Sequence, residues 1–292
     1  MLNGESTESP SLNSRITGFL SRLSAAPSRA LLLDYDGTLA PFTADRSQAR
    51  PYPRIAEVLA CIQRETDTRL VIVTGRQASD IPRLSGLTGL EIWGCHGLER
   101  LRADGSSRVA RIDARLLAAI ETIHELIVCE GLADLAERKT ASIAVHWRGQ
   151  EQIADEILRQ IRRIWSIIPD RSDLRLAPFD GGIEIRVAKI DKGDAVRSIF
   201  RECGPDVAMA YLGDDVSDED AFGALTRRGL NILVRDVSRP TLADAWIKPP
   251  EQLLIFLQSW LSACESLSSV QEKLVPNTDL SNRHQDSIGG RK

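Results

Sequence analysis

Short runs of consecutive apolar residues alternate along this chain with longer stretches whose apolar residues fall three and four apart. Ala30–Leu33, Leu70–Val73, Ala208–Leu212 and Ile232–Val234 are of the first kind. Continuous apolar runs of this length, separated by helices, predict strands of a parallel sheet covered on both faces. Arg54–Glu65 is of the second kind, with Ile55, Val58, Leu59 and Ile62 at helical spacing. In such sheets ligands bind beyond the carboxyl ends of the strands. Three of the runs end there in polar or charged residues: Asp34, then Thr74-Gly75-Arg76, then Gly213-Asp214-Asp215.

The middle third follows another rhythm. Asp113–Val128 carries Leu116, Leu117, Ile120, Ile123, His124 and Ile127 along one stripe, and Gln150–Trp165 carries Ile153, Ile157, Ile161 and Ile164. Leu132–Arg138, Thr140–Trp147, Asp173–Ala177 and Gly182–Val187 are predicted strands, the last two separated by the turn-prone Pro178-Phe179-Asp180-Gly181. The order α-β-β-α-β-β predicts a small antiparallel sheet with two helices, inserted into the larger unit. The fold class is therefore α/β: a doubly wound, Rossmann-like parallel-sheet core with an inserted α+β cap. The expected division is a core of 15–111 plus 189–264, a cap of 112–188, and polar tails at 1–14 and 265–292 that bury too little apolar surface to offset their ordering entropy.

Composition narrows the function. With 292 residues, 42% apolar and 27% charged, the chain has enough apolar residues for a sizeable core. A net charge of −4 removes the basic excess expected of a nucleic-acid binder. No apolar run approaches the roughly 18 residues that span a bilayer, and the amino terminus lacks the basic-then-apolar order of a secretory signal. A cytoplasmic protein with no membrane partner is expected, and a monomer is compatible with this composition. The five cysteines (Cys61, Cys95, Cys129, Cys203 and Cys264) are scattered and form no C-x-x-C pair, so neither a disulfide framework nor a zinc site is indicated.

The local chemistry starts at Asp34-Tyr35-Asp36-Gly37-Thr38, directly after a strand. Carboxylates at i and i+2 converge if the turn lets the chain curl back, and Gly37 supplies that freedom. With no cationic neighbour they repel, so a shared hard cation is one resolution; a turn capped by one Asp, the other exposed, is the plainer one. The acidic run Gly213–Asp220, taken alone, fits a solvated helix start as well as it fits a site. Two acidic strand ends at one crevice make an oxygen-only site of the kind Mg²⁺ takes. Thr74 and Lys192, in Asp191-Lys192-Gly193, add the hydroxyl and ammonium that a phosphoryl group requires.

The order D-Y-D-G-T-L, T-G-R, lysine followed by glycine, and G-D-D-V-S-D-E-D resembles the haloacid dehalogenase superfamily of aspartate-nucleophile phosphatases, in the subgroup with an α/β cap between the second and third motifs. Asp34–Pro41, Gly94-Cys95-His96-Gly97, Lys139 with His146-Trp147-Arg148, Glu184-Ile185-Arg186 and the run ending at Phe222 narrow this to a resemblance to the trehalose-6-phosphate phosphatases over roughly residues 28–262. The resemblance implies that Asp34 attacks phosphorus and forms an aspartyl-phosphate while Asp36 protonates the leaving group. It implies Mg²⁺ held by Asp34, the Asp36 carbonyl and Asp214, with Asp215 and Asp218 completing the shell. Thr74 and Lys192 are implied as phosphate contacts, with Arg76, His96, Lys139, His146, Arg148 and Glu184 on the side of the substrate, a phosphorylated disaccharide. Their plain alternatives are an edge lysine for Lys139, a solvent-facing strand end for Arg148 and a half-buried, satisfied histidine for His146. Thr74 stands where serine is usual, and Val187-Ala188-Lys189 replaces an expected proline, which makes Lys189 a rival to Lys192. Esters of other sugars, and a non-hydrolytic phosphosugar sensor on the same fold, are the competing readings.

Overall fold

The computed structural model describes residues 13–274. In chain order the elements are α1 (Ser14–Leu23), β1 (Ser28–Leu33), α2 (Ile55–Glu65), β2 (Thr68–Val73), α3 (Asp80–Ser85), β3 (Glu91–Gly94), β4 (Glu99–Leu101) and β5 (Ser107–Val109). There follow α4 (Ala114–Cys129), β6 (Ala136–Arg138), β7 (Ser142–His146), α5 (Ala154–Ile167), β8 (Leu174–Phe179) and β9 (Gly182–Val187). The chain then runs through α6 (Lys192–Cys203), β10 (Val207–Gly213), α7 (Glu219–Leu225), β11 (Leu230–Val234), β12 (Ala245–Ile247) and α8 (Glu251–Leu274).

The strands form two sheets. One has the order β12-β11-β10-β1-β2-β3-β4-β5 and is parallel from β12 to β3. The carboxyl-terminal four residues of β1 and β2, Ala30–Leu33 and Leu70–Val73, are apolar throughout because both faces are covered. Leu31, Leu33, Ile72 and Leu212 pack toward α1, α2 and α8, while Leu32, Val71, Val73 and Tyr211 pack toward α6 and α7. Trp260 of α8 is fully buried, and its indole N–H donates to Thr68 Oγ1 at 3.0 Å, so the burial leaves no unpaired donor there.

The other sheet, β6-β7-β9-β8, is antiparallel throughout. Its strands alternate, as a one-sided sheet must. Ile143, Val145, Ile183, Ile185 and Val187 pack with Ile120, Ile123 and Ile127 of α4 and Ile157, Ile161 and Ile164 of α5. Burying an isoleucine contributes about 1.5–3 kcal/mol, so this smaller unit rests largely on isoleucine packing. Glu184, Arg186 and His146 alternate with those residues and line a crevice facing the first sheet. The architecture is the expected α/β core with an inserted α+β cap.

Some elements differ from expectation. The parallel sheet continues antiparallel through β4 and β5, short strands with no long apolar run to announce them. Ala133–Leu135 is a 3₁₀ turn, and only Ala136–Arg138 of the expected 132–138 strand is extended. Pro178 and Phe179 lie in β8; the turn is Asp180-Gly181 alone, with Gly181 at φ +79°. An edge strand tolerates Pro178, since its missing N–H faces no partner. Leu117 of α4 is exposed, so the buried stripe is narrower than the sequence suggests. The expected tail from 265 begins as helix, since α8 continues to Leu274; no proline or glycine interrupts that stretch before Pro276. The remaining tail segments, 1–12 and 275–292, lie outside the described residues.

Candidate active site

The register of the parallel sheet decides which strand ends meet. Leu33 of β1 pairs with Leu212 of β10 and Ile72 of β2, so Asp34, Asp214 and Thr74 emerge side by side at the carboxyl edge. The Asp34 amide donates to the Leu212 carbonyl at 2.9 Å, fixing the start of the turn. Gly37 has φ +82°, and a Cβ there would stand 2.2 Å from Asp214 Oδ2. The position needs glycine both for its backbone angle and for the close approach of the acidic loop.

Lys192 occupies the first turn of α6, placed by a capping box between Asp191 and Asp194. It is 2% exposed, and its Nζ lies 2.7 Å from Asp34 Oδ1 and 2.8 Å from Asp218 Oδ1. An ammonium has three donors, so one remains for a ligand. Thr74 Oγ1 accepts from the Arg76 amide at 3.1 Å, which leaves its O–H to donate. Lys189, the rival lysine, instead pairs with Asp173 at 2.8 Å and is exposed.

Among the described residues, Asp34, Asp214 and Asp218 form a cluster whose carboxylate oxygens lie within 4.8 Å of one another. Their surroundings differ. Asp218 accepts from Lys192, from the Tyr211 hydroxyl at 2.7 Å, and from the Asp214 and Asp215 amides at 3.1 and 3.0 Å. Asp214 is 1% exposed and neither of its oxygens has a hydrogen-bond partner; the Arg235 guanidinium stands 4.0 Å off. Burial, reinforced by Asp34 and Asp218, holds the Asp214 carboxyl well above its ordinary range. Burial likewise pushes Asp34 up to about 7, with Lys192 opposing the rise and Asp218 adding to it. Two unpartnered buried oxygens beside a second carboxylate fit a hard cation with oxygen ligands. Asp215 lies outside this group: one oxygen accepts from the Val216 amide, the other from the Asp180 amide of the cap at 3.3 Å.

The crevice between the sheets has a volume of about 210 Å³, against the roughly 10–15 Å³ that one water needs, so it takes a molecule much larger than an ion. On the cap side Glu184 is a hub. It accepts from Lys139 Nζ at 3.0 Å and Ser142 Oγ at 2.7 Å, and its other oxygen lies 2.8 Å from His96 Nε2 of the core. Burial works against its charge, yet Lys139 and His96 hold it well below the ordinary carboxylate range. Lys139 also donates to the Gly75 carbonyl at 2.9 Å, binding cap to core beside Thr74. His96 sits in a turn where Cys95 and His96 both have positive φ. His146 lies 3.0 Å from Glu137 and 3.0 Å from Arg46, and burial together with the Arg46 charge lowers its pKa to about 3. Arg148 stacks on the Phe42 ring with its guanidinium carbon 4.0 Å from the centroid.

Every residue expected to carry chemistry therefore faces one crevice except Asp218, which lies beneath its floor. Arg76 lines it as well, but its fork is turned onto Asp36. Arg46, Phe42, Arg186 and Glu137 were not foreseen. Alternation along β9 marks Arg186 and alternation with Lys139 marks Glu137, but no local pattern marks Phe42 or Arg46, which sit in the connection between β1 and α2, Arg46 at the start of a 3₁₀ turn.

A doubly wound core, an inserted cap and paired carboxylates at the end of the first strand define the class of fold, the one seen in phosphatases of the haloacid dehalogenase superfamily. A phosphatase of that superfamily from Bacteroides thetaiotaomicron superposes over 81% of this chain and 96% of its own, with a TM-score of 0.54 and 16% identity. Residues 32–246 match the trehalose-phosphatase family, and the chain belongs to it. Probable trehalose-phosphate phosphatase H of Arabidopsis thaliana is 28% identical over 274 residues, covering 86% of this chain and 77% of that protein. Trehalose-phosphate phosphatase of Mycobacterium marinum is 30% identical over 244 residues, 79% of this chain but 60% of that longer protein. The C-terminal domain of C. albicans trehalose-6-phosphate phosphatase has the same fold, with a TM-score of 0.73 at 21% identity, covering 87% of this chain and 98% of that one.

Proposed function

We propose that this chain hydrolyses trehalose 6-phosphate to trehalose and phosphate, through an aspartyl-phosphate on Asp34 and with Mg²⁺ as cofactor. The observation that carries the reading is the placing of Asp34 between Lys192 at 2.7 Å and the unpartnered oxygens of Asp214, at the floor of a crevice roofed by polar cap residues. In the first step an Asp34 oxygen bonds to phosphorus, the P–O bond to the sugar breaks, and Asp36 gives its proton to the departing oxygen. In the second, Asp36 takes a proton from water, the water oxygen bonds to phosphorus, and the acyl-phosphate bond breaks to restore the Asp34 carboxylate. Acid–base assistance of this kind contributes about 10²–10⁴-fold.

Thr74 and the third donor of Lys192 hold the non-bridging oxygens, where preorganised donors count most. The Asp34 and Asp214 carboxylates, with the Asp36 carbonyl, would hold Mg²⁺. Asp218 is fully engaged and orients the Asp214 and Asp215 amides and Lys192, a supporting task. Bound there, the cation would neutralise charge on the phosphoryl group and keep Asp34 ionised against its burial. Lys139, His146, Arg148 and Glu184 form the wall that meets sugar hydroxyls, and a site built on such pairings rejects ligands that lack them.

Phosphate release from trehalose 6-phosphate, glucose 6-phosphate and sucrose 6-phosphate, with Mg²⁺ and with EDTA, tests this. Metal-dependent release with the highest kcat/KM on the trehalose ester is expected. A higher value on another ester would move the substrate, and absence of release from every ester by the folded protein would overturn the enzymatic reading.

A further inference from the structure

Arg76 was expected on the side of the substrate, and its contacts point elsewhere. Its Nε donates to Asp36 Oδ2 at 2.6 Å and its Nη2 to Asp36 Oδ1 at 2.7 Å, a parallel two-bond fork. Such forks fix the plane of a carboxylate as well as binding it. Both ends are anchored. The Arg76 amide donates to Thr74 Oγ1, and its carbonyl accepts from the Cys95 amide at 2.7 Å. Asp36 is bridged to Ala40, and the Gly37 amide donates to the Ala40 carbonyl at 2.8 Å. The Arg76 side chain is 5% exposed while that of Asp36 is 27% exposed, so the carboxylate, not the guanidinium, is the more open to the crevice. A carboxylate has about four acceptor positions; the fork uses two and leaves the others for proton exchange.

We propose that Arg76 is a positioning residue that acts on the reaction through Asp36, holding its carboxyl in the orientation from which it exchanges a proton with the ester oxygen and then with water. This rests on the acid–base role proposed above for Asp36. An arginine that instead bound phosphate would affect all esters alike, and one that bound the sugar would raise KM on the sugar ester. One that serves the proton donor matters only when the leaving group needs a proton.

The test compares the sugar phosphate with p-nitrophenyl phosphate, whose nitrophenolate departs without one. Arg76→Gln should lower kcat on the sugar ester by about 10–100-fold, within the range acid–base catalysis supplies, with KM little changed. Its loss on the nitrophenyl ester should be at least about tenfold smaller. Asp36→Asn should show the same selectivity, and adding Arg76→Gln to it should cost nothing more, because residues acting as one unit are not additive. Arg76→Lys, which keeps the charge and one bond, should fall between wild type and Arg76→Gln, and carries the test if the glutamine variant does not fold. Equal losses on both esters, a raised KM at constant kcat, or additive losses in the double variant would overturn the inference. If Asp36→Asn itself lacks selectivity, the acid–base assignment falls; if Asp36→Asn is selective and the Arg76 variants are not, only the role of Arg76 falls.

Discussion

The floor and the roof of the crevice are both built from buried charges, yet they are balanced differently. On the roof, Glu184 is met by Lys139, Ser142 and His96, and Glu137 by Arg46 and His146. On the floor, the cluster of Asp34, Asp214 and Asp218 faces Lys192, and Asp214 is left with two unpartnered oxygens. The carboxylates of the roof all have cationic or hydrogen-bonding partners, some of them, His96 and Arg46, supplied by the core. Those of the floor do not, and in a low-dielectric setting an unpaired buried carboxylate costs far more than a paired one. This difference suits the two tasks proposed. A floor short of positive charge takes up a cation, whereas a paired roof holds its donors and acceptors in fixed positions for a neutral sugar.

The largest expected effect separates chemistry from scaffold on the floor. Asp34→Asn should reduce turnover by about 10⁴-fold or more while leaving the circular dichroism spectrum and melting behaviour of a folded protein; near-normal turnover would remove Asp34 as the nucleophile. The counterpart on the roof is Glu184→Ala, which leaves the buried Lys139 without its hydrogen-bonded carboxylate, the nearest other being Glu137 at 3.9 Å. Breaking one partner of a buried pair costs about 3–5 kcal/mol, so denaturant melts should shift by that order, and a shift under about 1 kcal/mol would show that the hub is not the cap's electrostatic centre.

A smaller effect addresses the imbalance directly. Saturating Mg²⁺, at about 100 times its Kd, should stabilise the protein by about 2.7 kcal/mol, a rise of several degrees in Tm. Asp214→Asn should abolish that rise and, without metal, melt higher than wild type, since the raised Asp214 carboxyl marks a charge the fold disfavours. A metal-induced rise that survives Asp214→Asn would place the cation elsewhere.

The smallest effect is a pH dependence on the roof. The folded His146 pKa of about 3 lies below the ordinary 6.5, so the unfolded chain binds more protons as pH falls between those values. The stability tied to neutral His146 is therefore present above about 6.5 and is lost as pH drops toward 3. His146→Gln should make the unfolding midpoint less sensitive to pH over that window. An unchanged slope would show that His146 is not held neutral by its burial and by Arg46.

Much of this was legible in the chain because it is local. Ala30–Leu33 followed by Asp34, and Ala208–Leu212 followed by Gly213-Asp214, mark strands and their ends, since continuous apolar runs suit only a doubly covered sheet. The period-two pattern of Gly182–Val187 likewise announces a one-sided strand, even to the face that Arg186 shares with Glu184. Arg46 was missed because it begins a single 3₁₀ turn, Arg46–Gln48, too short to show any periodicity. The antiparallel β4 and β5 were missed because they are three residues each and carry no apolar run.

By itself the sequence determined the main buried strands of the parallel sheet, the inserted cap, and which side chains stand at the ends of those strands, all of which follow from spacing along one chain. Only the tertiary structure decided who meets whom: that Arg76 grips Asp36, that Asp218 is saturated while Asp214 is bare, and that Lys139 reaches across to Gly75. Those outcomes depend on sheet register and on the seating of cap on core; the Arg76–Asp36, Lys139–Gly75 and Arg46–His146 contacts join residues 40, 64 and 100 positions apart. Short-range pattern carries no information about such distances, and hydrogen-bond geometry changes with shifts of less than an ångström.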